Sequence, residues 1–316
     1  MSYFNNEIES VFSKIEQADN IVIFGHKNPD GDCVGSVMGL REALRTLFPN
    51  KTIYGVGTHP SYIAPCVVDS DVVSDEFIKS ALAVMVDLSD LDRVEDQRIL
   101  TAKEIVCIDH HVKQVDVNFP IIRDELAPSA TFIITKCLLE RYHKIPSQLA
   151  AKYLYMGLVT DTGRFQFDSE PETLEVAKSL IEHGFDYKEI YSILYRQSSS
   201  DLKFRAVVYS NFKFDGLVSY VCISKKMYEE IGLTQNEAGG KVNLLSLLDN
   251  HPMWAAFTEQ DDGTIRVELR SNGHYNVQKV AIIFGGGGHI PASGCKLTTF
   301  DDVPKVLEAL NKAEQL

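Results

Sequence analysis

The sequence predicts an α/β fold: a doubly wound, mainly parallel sheet with helices on both faces, followed by a smaller α+β domain. Its 316 residues are enough for two domains that each bury a core. In the first half, short apolar runs alternate with helical patterns, whereas the second half places Asp-Gly dipeptides between β-rich runs. This change of pattern places the first domain at 1–188, a helical and polar linker at 189–205 and the second domain at 206–316.

Four apolar runs in the first half predict buried parallel strands, because strands that are covered on both faces lack polar alternation. They cover 21–25, 51–57, 82–89 and 104–111. Helical patterns cover 34–48 and 130–142, and Ser169 with Glu172 predicts a capping box for a helix that ends near Gly184. In such a sheet, ligands bind outside the carboxyl ends of the strands.

The second half predicts hairpins and a helical end. Asp215-Gly216 and Asp262-Gly263 each lie between β-rich runs, which is the strongest short hairpin signal. A helix from about Val277, a glycine-rich turn, a short strand and a helix over 303–313 complete the domain.

The charge of the chain limits its partners. Lys and Arg total 31 and Asp and Glu total 44, which gives a net charge of −13. A protein that binds duplex DNA without sequence preference needs a large basic face, so duplex DNA is not an expected partner. A small phosphate-bearing substrate remains compatible with this charge, because metal ions and a few basic side chains can bind it locally.

The sequence also indicates the compartment. No apolar run approaches the roughly 18 residues that span a bilayer, so we expect no membrane partner. The first residues lack the pattern of a secretory signal. Six scattered cysteines without a CxxC pair favour a reducing cytoplasm over a disulfide framework or a structural zinc site.

Acidic and histidine side chains collect where the predicted elements of the first half end. They are His26, Asp30, Asp32, Asp87, Asp109, His110, His111 and Asp161. A single Asp at such a place is usually a turn or capping residue, but several groups on one sheet edge indicate a site. Carboxylates with imidazoles suit Mn²⁺-like ions. Two divalent ions would neutralise the crowded carboxylates and activate water for attack at phosphorus.

A second group of residues lies in the C-terminal domain, over 269–294. Four consecutive glycines at 285–288 allow close approach of a ligand, and their N–H groups could form an anion nest. Arg270 precedes the glycines and offers a bidentate fork for phosphate, and His289 and Ser293 follow them, so that the three residues bracket the run. A glycine run is by default a flexible turn, and this one matches neither the Walker nor the dinucleotide-binding pattern.

These motifs resemble the DHH phosphoesterase superfamily joined to its DHH-associated C-terminal domain. The matching blocks are HKNPDGD, VDLSD, DHH and GLVTDTGRF in the first half, then LRSNGHYNV and GGGGHIPASG in the second. The compact length is most similar to the bacterial nanoRNases of this superfamily. Those enzymes degrade very short RNA and dephosphorylate 3′-phosphoadenosine 5′-phosphate (pAp).

The resemblance implies two Mn²⁺ ions, with Mg²⁺ or Co²⁺ as substitutes, in a cleft between the two domains. One ion would be held by His26, Asp30 and Asp87, and the other by Asp32, Asp87, His110 and Asp161. The catalytic residues would be Asp87 as the bridge, His111 facing the scissile phosphate and Asp109 orienting His110. A terminal phosphate would be bound by Arg270, Ser271, Gly286, Gly287, Gly288, His289 and Ser293.

The implied function is a two-metal phosphoesterase that cleaves single-stranded RNA of two to about five nucleotides to 5′-mononucleotides and converts pAp to AMP. Hydrolysis of pApA and other linear dinucleotides from cyclic-di-AMP turnover is the alternative, since it uses every residue named. An inorganic pyrophosphatase would carry a different C-terminal domain, and a nonenzymatic nucleotide sensor would have a decayed site. Whether the chain forms a homodimer is left open.

Overall fold

The computed structural model describes residues 5–113, 116–194, 196–239, 241–246 and 248–316. Contacts divide the chain into two units between Arg196 and Gln197, within the segment that was predicted as a linker. Tyr195, which belongs to that segment, lies outside the described residues.

The strands of unit 1 confirm the predicted parallel sheet. Among the described residues of this unit, five strands pair in the order β2-β1-β3-β4-β5, and every pairing is parallel. They are β1 (Asn20–Phe24), β2 (Thr52–Gly55), β3 (Leu82–Val86), β4 (Glu104–Asp109) and β5 (Ile121–Arg123). The strand order reverses between β1 and β3, which is where a doubly wound sheet binds its ligands.

The helices of unit 1 lie on both faces of this sheet. They are α1 (Asn5–Gln17), α2 (Gly31–Leu47), α3 (Asp75–Ser80), α4 (Ala130–Tyr142), α5 (Gln148–Asp161), α6 (Pro171–Ile181) and α7 (Tyr187–Leu194), with 3₁₀ helices at Ala64–Cys66, Leu91–Arg93 and Gln97–Thr101. Alternate residues of β1 show the two faces: Ile21 and Ile23 join the core formed with α1, α2, α4 and α5. Val22 and Phe24 join a smaller core with α3 and the later 3₁₀ helices.

Glycines let α2 and α5 pack at backbone distance. A Cβ atom on Gly35 would lie 2.7 Å from the Tyr153 carbonyl oxygen, and one on Gly39 would lie 2.7 Å from the Leu154 side chain. A Cβ on Gly31 would overlap Thr160. Later residues of α2 contact earlier residues of α5, so the two helices are antiparallel. The N-terminus of α2 therefore meets the C-terminus of α5. The fold thereby brings the first turn of one helix to the last turn of the other.

The start of α6 differs from the prediction. The helix begins at Pro171 after Glu170, without a side-chain cap, so the expected Ser169–Glu172 capping box is wrong. Proline is favoured at the first helical position because its missing N–H would have no partner there. The Asp168 carboxylate instead accepts the Thr173 hydroxyl at 2.7 Å.

Unit 2 is built on a mixed sheet. Over its described residues, six strands pair in the order β10-β11-β9-β8-β7-β6, with only β7 and β8 parallel. They are β6 (Lys213–Asp215), β7 (Val218–Ile223), β8 (Met253–Glu259), β9 (Ile265–Ser271), β10 (Gly287–His289) and β11 (Ala292–Leu297). The helices are α8 (Ser199–Asn211), α9 (Lys225–Glu229), α10 (Gln235–Ala238), α11 (Val277–Ile283) and α12 (Val303–Asn311), with 3₁₀ helices at Val242–Leu245 and Phe300–Asp302.

Both predicted hairpins of unit 2 are confirmed. Asp215 pairs with Val218 across the β6–β7 turn, and Gly216 has φ +53° there. Glu259 pairs with Ile265 across the β8–β9 turn, in which Gly263 has φ +80°. Glycine supplies these left-handed conformations without a Cβ clash.

No described helix is long and apolar enough to cross a membrane. All six cysteines of the sequence lie within the described ranges, and each is a free thiol.

Candidate metal centre and glycine-rich segment

The structure brings the predicted acidic and histidine residues of unit 1 together. β1 leads into His26, β3 leads into Asp87, and β4 ends at Asp109. Asp30 caps α2, and Asp161 is the last residue of α5. The parallel sheet and the glycine-mediated contact between α2 and α5 therefore converge on one place.

Asp87 lies at the centre of this group. Its Oδ2 atom is 3.3 Å from His26 Nε2, and its Oδ1 atom is 3.4 Å from His110 Nε2. The residue is 2% exposed and has φ +64°, a conformation that Asp adopts more readily than bulkier residues. The Asp87 N–H still donates to the Ile108 carbonyl at 2.9 Å, so the turn begins where strand pairing ends.

Both histidines present the same ring nitrogen to the carboxylates. His110 Nδ1 lies 3.1 Å from the Ala127 carbonyl, and His26 Nδ1 lies 2.9 Å from the Lys27 carbonyl. A carbonyl only accepts hydrogen bonds, so these contacts place the proton on Nδ1. In the neutral ring, Nε2 then carries the lone pair that binds a metal.

His110 has further carboxylates around it. Asp161 Oδ2 is 3.4 Å from His110 Nε2, and Asp32 Oδ2 is 4.0 Å from it. Asp32 is fully buried and also accepts hydrogen bonds from the start of α4: Ala130 N at 2.6 Å and Thr131 Oγ1 at 2.6 Å. The N-terminus of α4 thus fixes the position of the Asp32 carboxylate.

Asp30 has a capping role in addition to its place near His26. Its Oδ1 accepts the backbone N–H groups of Asp32 and Cys33, each at 3.1 Å, and it lies 4.0 Å from His26 Nε2. The Cys33 thiol also contacts the site, since Sγ accepts the His26 N–H at 3.3 Å. The sequence predicts no role for Cys33, and no spacing pattern indicates this contact.

The pKa values express the crowding of negative charge. Burial, followed by the Asp87 charge, raises the pKa of Asp32 to about 7. Burial and the neighbouring Asp32 and Asp30 raise the pKa of Asp161 well above its usual range. Although burial acts in the opposite direction, contacts with His110 and His26 hold the pKa of Asp87 well below its usual range. Without cations, this group of carboxylates retains protons.

Divalent metal ions fit this donor set. Asp87 Oδ1 is buried and accepts no hydrogen bond from any described residue, which leaves it available as a ligand. Its surroundings are oxygen and imidazole donors, the mixture that suits Mn²⁺-like ions. The residues that could hold them are His26, Asp30, Asp32, Asp87, His110 and Asp161.

Asp109 has a different neighbour from the one expected. The resemblance implied that it orients His110, but Asp109 Oδ1 lies 2.8 Å from His111 Nδ1 and accepts the His111 N–H at 3.1 Å. The His110 ring turns instead to the Ala127 carbonyl. The physical reason is local: an Asp carboxylate readily accepts the N–H two residues later, which brings His111 rather than His110 within its reach.

In unit 2, the expected nest of four glycine N–H groups is wrong for the first two glycines. Gly285 N–H donates to the Ile282 carbonyl at 3.0 Å, and Gly286 N–H donates to the Ala281 carbonyl at 2.9 Å. Gly285 has φ +74°. These bonds satisfy the last carbonyls of α11, so the two glycines terminate a helix.

Packing explains two of the four glycines, and the backbone turn explains a third. A Cβ atom on Gly286 would overlap the Gly294 carbonyl oxygen, and one on Gly288 would lie 2.6 Å from the Ala292 carbonyl oxygen. Gly285 is required by its left-handed backbone. A Cβ atom on Gly287 would meet nothing within 4 Å. Gly287 is therefore the glycine whose missing side chain the fold itself does not explain.

Arg270 and His289 lie in one row of paired residues that crosses the neighbouring strands β9, β11 and β10. Arg270 pairs with Ala292, which in turn pairs with His289. Burial lowers the pKa of Arg270, whose Nη1 donates to the Leu269 carbonyl at 3.0 Å. The Ser271 and Ser293 hydroxyls, which the resemblance assigned to phosphate binding, donate hydrogen bonds within unit 2. Ser271 donates to the Tyr275 carbonyl and Ser293 to the His289 carbonyl.

Carboxylates and imidazoles at the switch point of a parallel sheet form a candidate divalent-metal site, and comparisons with known proteins identify the family of the chain. The family model "DHH family, N-terminal domain" matches residues 20–158, and the DHHA1 domain model matches residues 215–315. The chain is 34% identical over 307 residues to the bifunctional oligoribonuclease and PAP phosphatase NrnA of Mycoplasma genitalium, which covers 95% of each chain. It is 33% identical over 298 residues to the Bacillus subtilis protein of the same name, covering 92% of this chain and 94% of that relative.

A solved structure confirms the fold over nearly the whole chain. An exopolyphosphatase-related protein from Bacteroides fragilis superposes with a TM-score of 0.88 at 24% identity, covering 99% of this chain and 98% of that one. The chain belongs to the DHH family of phosphoesterases.

Mn²⁺ should stabilise the protein more at pH 8 than at pH 5.5. The raised pKa of Asp32, about 7 against an ordinary 3.8, means that protons compete with metal below pH 7. The metal-free folded protein binds a proton at Asp32 more tightly than the unfolded chain does. The free energy of unfolding of the metal-free protein therefore falls as pH rises through 7. Thermal unfolding with and without Mn²⁺ at both pH values measures the difference.

Asp71→Asn is the matched control, because Asp71 pairs with Arg41 and Arg45 and is not among the candidate ligands. It should lower Tm while retaining the wild-type response to Mn²⁺. Equal Mn²⁺-induced shifts at pH 5.5 and pH 8 would contradict the account.

Proposed function

We propose that this chain hydrolyses single-stranded RNA of two to about five nucleotides to 5′-mononucleotides and removes the 3′-phosphate of pAp to give AMP. The observation that carries the proposal is the buried Asp87 carboxylate between His26 and His110, in a chain of the DHH family. The names of the two NrnA relatives support the substrate class. The free thiols support a reducing cytoplasm as the place of action.

Two Mn²⁺ ions are the proposed cofactors, with Mg²⁺ or Co²⁺ as substitutes. The first would be held by His26, Asp30 and Asp87, and the second by Asp32, Asp87, His110 and Asp161. When bound, such ions would stabilise charge on the phosphoryl oxygens and lower the pKa of water. Asp87 would belong to both sets because its two oxygens face different histidines.

His111 is the proposed contact to the scissile phosphate. Its Nδ1 faces Asp109, which fixes the ring, and its Nε2 would face a phosphoryl oxygen of the substrate. The oxygen of water forms a bond to phosphorus, the bond from phosphorus to the 3′-oxygen breaks, and the 3′-oxygen takes up a proton. RNA then yields a 5′-nucleotide, and pAp yields inorganic phosphate by cleavage of the same bond.

The second unit would bind a different phosphate of the substrate. Arg270 supplies positive charge, His289 lies in its row, and Gly287 leaves room for close approach. Ser271, Ser293, Gly286 and Gly288 would then support this segment, since their polar groups or missing side chains already serve the fold.

Substrate length is the experiment that tests the proposed function. Purified protein with Mn²⁺ is assayed on pAp, pApA and 5′-phosphorylated RNA of two to ten nucleotides. Each added phosphate meets a chain of net charge −13, so we expect kcat/KM to fall steeply beyond about five nucleotides. Equal cleavage of ten-mers would contradict this proposal, and turnover of pApA alone would favour the cyclic-di-AMP alternative.

Gly287→Ala tests the phosphate contact in unit 2. The added methyl group meets no protein atom within 4 Å, so Tm should be unchanged. The methyl group would occupy the space through which the phosphate approaches. Losing one charge-assisted phosphate contact in this way should raise KM for pAp by about 10-fold with little change in kcat. Gly288→Ala is the contrasting variant, because its Cβ would meet the Ala292 carbonyl and should lower Tm. An unchanged KM in Gly287→Ala would remove this segment from the substrate site.

A further inference from the structure

Arg123 lies beside Asp109 at the carboxyl ends of neighbouring strands. The two residues are paired in the register of β4 and β5, and Arg123 Nη2 lies 3.8 Å from Asp109 Oδ2. The Arg123 side chain is 14% exposed, and that of Asp109 is fully buried. Among the described residues, Arg123 Nε and Nη2 donate no hydrogen bond and Asp109 Oδ2 accepts none. A guanidinium and a carboxylate are thus buried together, slightly beyond hydrogen-bond distance.

The two oxygens of Asp109 face different partners. Oδ1 contacts two of the three nitrogens of His111, the backbone N–H at 3.1 Å and ring Nδ1 at 2.8 Å. Oδ2 faces Arg123. A buried carboxylate requires a positive partner, and removing that partner leaves a costly uncompensated charge. Arg123 supplies positive charge near Oδ2, the oxygen that does not contact His111.

The rest of β5 does not call for an arginine. The strand consists of Ile121, Ile122 and Arg123, and Ile122 is fully buried in the apolar core. An aliphatic side chain at position 123 would pack at the end of this strand without burying guanidinium N–H groups that have no acceptor. The charge of Arg123 is therefore explained by Asp109 and not by the packing of the strand.

We propose that Arg123 is a positioning residue: its positive charge holds the Asp109 carboxylate, which in turn fixes the His111 imidazole toward the substrate. The inference rests on the proposed function in one respect, that His111 contacts the scissile phosphate. Arg123, Asp109 and His111 lie outside the proposed ligand set, so metal content stays at the wild-type level when Arg123 is changed.

A double-mutant cycle tests this chain of contacts. Arg123→Met should lower kcat on pAp by about 10–100-fold, as loss of an outer partner of an active-site group commonly does. KM should change less than kcat, and Arg123→Lys should recover part of the rate because it restores the charge. In an Asp109→Asn background, Arg123→Met should cost less than about 2-fold, because contacts in series are not additive. An equal loss in both backgrounds would overturn the proposal.

A second readout does not depend on turnover. In ¹⁵N-histidine-labelled, Mg²⁺-loaded protein, the Nδ1 proton of His111 is assigned by its loss in His111→Gln. Its resonance should shift or vanish in Arg123→Met and persist in Arg123→Lys. The Arg45→Met variant, which breaks the ion pair to Asp71, should leave the resonance unchanged. If Arg123→Met fails to fold, Arg123→Gln replaces it.

The resonance separates the two proposals. An unchanged His111 resonance in Arg123→Met would overturn the positioning role. If the wild-type protein turns over none of the substrates, the proposed function fails, and the His111 resonance still decides whether Arg123 positions the ring.

Discussion

The site depends on the burial of several carboxylates at the end of one parallel sheet. Asp32, Asp87 and Asp161 surround His110, and burial together with the repulsion between the carboxylates raises the pKa of Asp32 and Asp161. Such a group is stable only with protons or cations among its oxygens. The fold therefore creates a strongly anionic site that suits divalent metal ions.

Backbone features that have no chemistry of their own hold these charges together. The glycines of α2 let that helix meet α5 so closely that Asp32 and Asp161 become neighbours. The left-handed conformation of Asp87 turns its carboxylate between two histidines at the point where β3 ends. Gly35 lies about one helical turn from Asp32. A larger side chain at Gly35 would separate the two helices and thereby disturb the positions of Asp32 and Asp161.

The sequence predicts much of this arrangement for physical reasons. Long apolar runs identify β1 to β4, and polar residues directly after them must share one sheet edge. β5 was not predicted, because three residues carry too little pattern to distinguish a strand from a loop. The side-chain partner of Asp109 could not be read from the DHH triplet, since spacing does not decide which of two adjacent rings turns to a carboxylate.

The glycine run shows a second limit of sequence interpretation. GGGG fits an anion nest, but Gly285 and Gly286 use their N–H groups to end α11. Hydrogen bonds within the fold compete with ligand contacts for the same donors, and only the structure shows which of them the fold uses. Arg123 illustrates the converse, because no motif marks it and its role follows from a contact between neighbouring strands.

The metal content of Asp87→Asn tests the central claim most directly. Asn tolerates the left-handed backbone of this position, so the change removes charge while the fold is retained. Mn²⁺-loaded protein, freed of excess metal, is measured by elemental analysis together with its turnover of pAp. The account predicts two Mn²⁺ per wild-type chain, and at most one in Asp87→Asn with no measurable turnover. Two tightly bound ions in Asp87→Asn would contradict the claim that this carboxylate joins both metal positions.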